Sequence, residues 1–135
     1  MDLSVAFATD DGENLFTKHA GQAKFFDVYR ISSDGAHYQE RRNNSKYEEE
    51  KTAKHGDPKK AQATLGALSG LHVLAANTYG PNLPRLLKKL LCIVIRTQRV
   101  ADAVEIVKAN RERIIEEYEK GETRKHLVFD VPSAR

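Results

Sequence analysis

Two carboxylates and an imidazole, Asp10, Asp11 and His19, fall within a single loop of this 135-residue chain, with Gly12 and Gly21 in the same stretch. A second polar segment runs Asn77-Thr78-Tyr79-Gly80-Pro81-Asn82, and a third begins at Arg96-Thr97. Each follows an apolar run. Imidazole is a reasonable ligand to iron. Free N–H groups at helix starts suit an anion. The candidate ligand-binding set is Asp10, Asp11, His19, Asn77, Thr78, Gly80 and Arg96, with His19 as the metal ligand. The bland alternative is that both aspartates cap a turn and His19 is an exposed loop histidine. His72 opens an apolar strand and reads as structural or surface, and His55 reads as a loop residue. Cys92 sits in a core run and reads as a small buried hydrophobe.

The elements that must position these groups follow from apolar patterning. Leu3, Val5 and Phe7 alternate with Ser4, Ala6 and Ala8, large against small, as in a central strand covered on both faces. Phe25 to Ile31 has strand composition, and Ser32-Ser33-Asp34-Gly35 supplies a turn. The polar stretch from Ala36 to Arg42 fits an antiparallel return at a sheet edge. From Asn43 to Gly56 there is no apolar period, so a loop is expected, with Glu48-Glu49-Glu50 a solvated surface. Asp57 is placed to cap a helix that starts at Pro58, buries Ala61, Leu65 and Leu68, and stops at Gly70. Leu71 to Ala76 and Leu91 to Ile95 read as buried strands. Helices follow them over Leu83–Leu90 and, as the longest in the chain, from Val100 to Tyr118, ended by Gly121. His126 to Val131 reads as one further short strand or an ordered tail.

The order β-β-β-α-β-α-β-α predicts a three-layer α/β domain. Its five-stranded mixed sheet has the order 3-2-1-4-5, and only the second strand is antiparallel, since crossovers are right-handed. Ligands of such sheets bind beyond the carboxyl ends of the parallel strands. The domain is expected over residues 1–121, with 122–135 a C-terminal extension that can supply an extra edge strand. The chain is long enough to bury about two-thirds of its unfolded surface.

Composition excludes several classes. One cysteine rules out a disulfide framework and a cysteine-based metal motif. No run approaches the ~20 apolar residues of a membrane span, and no signal peptide precedes the first strand, so a cytoplasmic location is expected. The net charge of +3 is mild, and no basic stripe with interleaved aromatics argues for nucleic acid. There is no P-loop, nucleophile elbow or His-Glu-x-x-His helix.

The run His19-Ala20-Gly21-Gln22-Ala23-Lys24-Phe25-Phe26 resembles the His-Phe-Gly-Arg-Ala-x-x-Phe signature of the dinitrogenase iron–molybdenum cofactor biosynthesis family. Ala20 and Gln22 stand where that pattern has Phe and Arg. Val5 to Gly12 is similar to the family's first strand and loop. Ala75 to Asn82 is similar to its glycine-bearing loop, and Val100-Ala101-Asp102-Ala103 to the start of its final helix. The resemblance covers about residues 3–120. It implies a ribonuclease-H-like fold, adds Gly21 to the candidate site, and implies carriage of an iron–sulfur-based cofactor or iron–molybdenum cofactor precursor among metallocluster assembly proteins.

Two other readings stand beside it. One is a small module that self-associates through edge strands or the C-terminal tail. The other is a phosphoryl-transfer enzyme, which needs roughly three or four converging carboxylates. The fourth and fifth strands end in Asn77 and Arg96 instead.

Overall fold

The structure is a computed structural model describing residues 1–44 and 57–130. Glu48-Glu49-Glu50, His55 and Val131 lie outside the described residues. One sheet holds β1 (Leu3–Thr9), β2 (Phe25–Ser32), β3 (Gly35–Asn43), β4 (Val73–Ala76), β5 (Leu91–Arg96) and β6 (Leu127–Asp130), in the order β3-β2-β1-β4-β5-β6. β2 is antiparallel to both neighbours, and the β1–β4, β4–β5 and β5–β6 pairs are parallel. The expected ribonuclease-H-like α/β class and strand order hold, with six strands in place of five.

The helices are α1 (Pro58–Ala67), α2 (Leu83–Leu87), α3 (Val100–Ala109) and α4 (Arg111–Tyr118). The alternation in β1 sets the two faces of the sheet. Leu3, Val5 and Phe7 join Val73, Ala75, Ile93 and Ile95 under α3 and α4, whose Val100, Ala103, Val104, Val107 and Ile114 complete that layer. Ala6 and Ala8 face the other way with Phe26, Val28, Leu74 and Cys92, against Leu68, Leu86 and Leu90 from the α1–α2 side. Asp57 caps α1 by accepting from the Lys59 amide at 2.9 Å. His72 is structural. Its Nδ1 accepts the Ser4 amide at 3.0 Å, its own amide donates to Ser4 O at 3.0 Å, and its ring meets Tyr118 edge-on. Burial lowers its pKa, which suits a neutral ring that accepts at Nδ1.

Two expectations need correction. The long helix from Val100 to Tyr118 is two helices, interrupted at Asn110. The Asn110 side-chain amide donates to Ile106 O at 2.8 Å, offering the backbone carbonyl a local partner outside the helical ladder. The Leu83–Leu90 helix is only five residues long, and Leu90 is buried just beyond it.

The sixth strand comes from the tail. Leu127 is buried and Phe129 packs against the same core, while Val128 is 43% exposed. Arg124 fastens the approach to β6. Its guanidinium donates to Tyr118 O at 2.6 Å and Leu87 O at 3.1 Å and lies over the Tyr118 ring. Glu117 accepts the Lys125 amide at 3.0 Å and pairs with Lys120 at 2.9 Å. Leu127→Ala should therefore cost about 2 kcal/mol in urea denaturation, at the low end for buried leucines because β6 is an edge. Val128→Thr should stay within about 0.5 kcal/mol. Equal losses at the two positions would contradict this docking of β6.

Candidate functional site

The parallel strands β1, β4 and β5 end side by side, and the loops beyond them are laced together. In the first half of the loop after β1, the Leu15 amide donates to Gln98 O at 2.8 Å and the Val100 amide to Glu13 O at 2.9 Å. This half is strapped to the β5–α3 turn. In the second half, the Ala20 amide donates to Thr78 O at 2.9 Å, and His19 and Thr78 form an isolated parallel bridge. That half is strapped to the loop after β4. Asn44, the residue after β3, donates its side-chain amide to Gly21 O and Ala23 O, both at 2.8 Å.

The two aspartates build this loop. Asp10 accepts the Lys24 amide at 2.8 Å, closing the segment between the strands. Asp11 accepts the Asn14 and Glu13 amides at 2.8 and 2.9 Å and the Asn14 side-chain amide at 3.0 Å. Donation from the Asn14 backbone and side chain, then from Glu13, holds its pKa down at about 2. Thr9 completes the turn, its hydroxyl donating to Asn14 O at 2.6 Å and accepting the Gly12 amide at 2.9 Å. Gly12 has φ +82°, and a Cβ there would stand 2.4 Å from Arg41, whose guanidinium holds the buried Asp27.

His19 has a different environment. The half-buried imidazole has no hydrogen-bond partner among the described residues. One face of its ring packs on the backbone of Gly80, where a Cβ would lie 2.6 Å from Nδ1 and 3.0 and 3.1 Å from the ring carbons Cγ and Cε1. A metal or a hydrogen-bonding group meets an imidazole nitrogen in the plane of the ring, a direction that stacking on Gly80 does not occupy. Gly21 allows a second close approach. A Cβ there would meet Thr64 Oγ1 at 3.2 Å and Lys60 Cε at 3.6 Å, so its absence lets α1 press on the 3-10 turn Ala20–Gln22. Together His19, Gly21, Gln22, Lys60, Thr64 and Gly80 line a shallow cavity of about 20 Å³, room for about one water.

The structure thus brings His19, Gly21 and Gly80 together, with the Thr78 backbone bridging to His19. Asn77 is not among the cavity's lining residues, and its side-chain amide donates to Ile95 O and Thr97 O, both at 2.8 Å. Arg96 also lies outside the cavity and pairs with Asp130 at 3.2 Å on the exposed edge. Sequence reasoning missed Lys60 and Thr64, whose signal is their one-turn spacing beside Ala61 and Leu65. It also missed Tyr79, which lines the same cavity and sends its hydroxyl within 2.7 Å of Leu74 O and 2.9 Å of Ile93 O. Burial among these carbonyls raises its pKa well above the ordinary tyrosine value. No signal in the sequence would have found Asn44. Among the described residues no three His, Cys, Asp or Glu side chains group as a metal site. The donor set fits a ligand that brings most of its own coordination and takes one imidazole from the protein.

Two outcomes follow. In Gly80→Ala the imidazole must rotate away, so the ring resonances of His19 should shift in NMR spectra. Combining it with His19→Ala should remove most of its stability cost, a coupling of about 0.5 kcal/mol or more in a double-mutant cycle. Strict additivity would contradict the contact. Asp11 has a folded pKa below its unfolded value of about 3.9, so its contribution is complete above that pH and lost as pH falls towards 2. Melting temperature should fall less steeply between those limits in Asp11→Ala than in the parent, and parallel acid limbs would contradict the assignment.

No helix among the described residues is long and apolar enough to cross a membrane. A comparison with curated proteins finds no match. A family model described as dinitrogenase iron-molybdenum cofactor matches residues 1–112, taking in β1 to β5, both halves of the cavity and α3. Over that span, which is most of the chain, the protein belongs to the dinitrogenase iron-molybdenum cofactor family.

Proposed function

We propose that this protein binds and carries, without transforming it, an iron–sulfur-based metallocofactor or a precursor of the iron–molybdenum cofactor, and passes it between assembly proteins in the cytoplasm. The observation that carries the reading is the His19 imidazole, stacked by one face on Gly80 and without a hydrogen-bond partner among the described residues, on the cavity where the loops beyond β1 and β4 meet. Family membership supplies the class of cargo.

The residues divide the work. His19 would offer a ring nitrogen to an iron of the cargo, an ordinary role for a neutral imidazole. Gly21 lets α1 settle against the turn and Gly80 lets the imidazole settle on its backbone, which together fix the ring beside the cavity. A cavity of about 20 Å³ admits a terminal atom of such a cargo and leaves its bulk on the surface, which suits a group that must be released again. Asp10 and Asp11 are engaged by backbone amides and by the Asn14 side chain. This argues for carriage over two-metal phosphoryl chemistry, in which carboxylates must face the metals.

Anaerobic reconstitution with ferrous iron and sulfide should give a visible-absorbing complex. His19→Ala should weaken it at least tenfold, or ~1.4 kcal/mol. An unchanged affinity in that variant, or no complex with the parent protein, would refute the carrier reading.

A further inference from the structure

The side-chain amide of Asn44 is directed wholly at the turn that follows His19. Its Nδ2 donates to Gly21 O and Ala23 O, at 2.8 Å each, which uses both of its hydrogens. Gly21 O belongs to the same peptide group as the Gln22 N–H, and that N–H donates to His19 O at 2.9 Å. A chain of two hydrogen bonds therefore runs from Asn44 through one peptide group to the backbone of His19, and bonds in such a chain strengthen one another. Asn44 is itself held in place. Its own amide donates to Lys24 O at 2.9 Å, and the Lys24 amide donates to Asp10 at 2.8 Å. The arrangement has a cost. Oδ1 of Asn44 is buried and has no hydrogen-bond partner, and a buried acceptor left unpaired is unfavourable. Turning the amide over would not relieve it, since Oδ1 would then face two carbonyl oxygens. Closing a loop does not require this: Asp10, Asp11 and Asp57 do so by accepting backbone amides. A buried polar atom without a partner calls for a specific explanation. What this one accompanies is the fixing of the turn that carries the imidazole.

We propose that Asn44 is a positioning residue of this site and acts through His19, fixing the turn Ala20–Gln22 so that the imidazole already rests on Gly80 before the cargo arrives. The proposal rests on the carrier reading and deepens it. A ring oriented in advance loses less freedom on binding, so more of its interaction with the iron appears as affinity. The turn is then held from two sides, by Asn44 beyond β3 and by Thr78 beyond β4, whose carbonyl accepts the Ala20 amide at 2.9 Å.

The probe is the complex assembled anaerobically from ferrous iron and sulfide. Asn44→Ala should weaken it about tenfold, the low end for groups that orient a metal ligand, and should shift the ring resonances of His19 in the cargo-free protein. Asn44→Asp keeps the shape but sets a carboxylate that cannot donate against the two carbonyls, so it should weaken the complex at least as much. In the His19→Ala background, Asn44→Ala should change the affinity by less than about twofold, because the ring it positions is gone. An equal loss in both backgrounds would leave Asn44 a structural role only and overturn the proposal. Unchanged affinity in Asn44→Ala beside a weakened His19→Ala would also overturn it, and leave the carrier reading standing. One measurement needs no variant, so the test survives a substitution that folds poorly. In the parent protein both side-chain amide hydrogens of Asn44 should exchange slowly with solvent, and rapid exchange would overturn the proposal. No complex with the parent protein would overturn both.

Discussion

β1 is buried on both faces, and its backbone has no access to water, so every N–H and C=O along it needs a partner in the sheet. β2 supplies one side of that ladder over the whole strand, Leu3 against Ile31 through Thr9 against Phe25, and β4 supplies the other in parallel, Val5 against Val73 through Phe7 against Ala75. Because β1 is so held, the loop that leaves it at Thr9 starts from a fixed point. The lacing of that loop to Gln98 on one side and Thr78 on the other then decides where His19 stands.

The two faces of the sheet differ in depth, and the site belongs to the shallower one. Under α3 and α4 the central strands carry Phe7, Ile93 and Ile95. On the opposite face Ala6, Ala8 and Ala76 leave little side chain between the sheet and what covers it. The turn Ala20–Gln22 and α1 therefore settle close to the strand ends, and side chains there meet glycine backbone directly. Gly21 and Gly80 are the points of closest approach, for the helix and for the imidazole respectively. The buried Ala20, in place of the family's larger Phe, is consistent with the same shallow packing.

Five carboxylates among the described residues hold structure. Asp10, Asp11 and Asp57 accept backbone amides, Asp27 lies beneath Gly12 in a two-pronged pair with Arg41, and Glu117 secures the approach to β6. An ionised carboxylate is acceptor-only and takes several N–H groups at once, which makes it an efficient closure for a loop that has lost its ladder partners.

What the sequence by itself determined is the layered α/β class, the central position of the first strand, the antiparallel second strand and the cap at Asp57. These rest on local periodicity and turn chemistry, which a few consecutive residues carry. The imidazole and the two glycines around it were legible as a motif, but their contacts were not. That Gly80 supports one face of the His19 ring, that Asn77 turns away to Ile95 and Thr97, and that Lys60 shares the cavity depend on residues brought together from as far as 61 positions apart. The tail shows the same division. Alternation marked Leu127 and Phe129 as one side of a strand, but four residues have no stability alone. Only the open edge of β5 and the anchoring of Arg124 decided where that strand would lie, because edge pairing is a property of the assembled sheet.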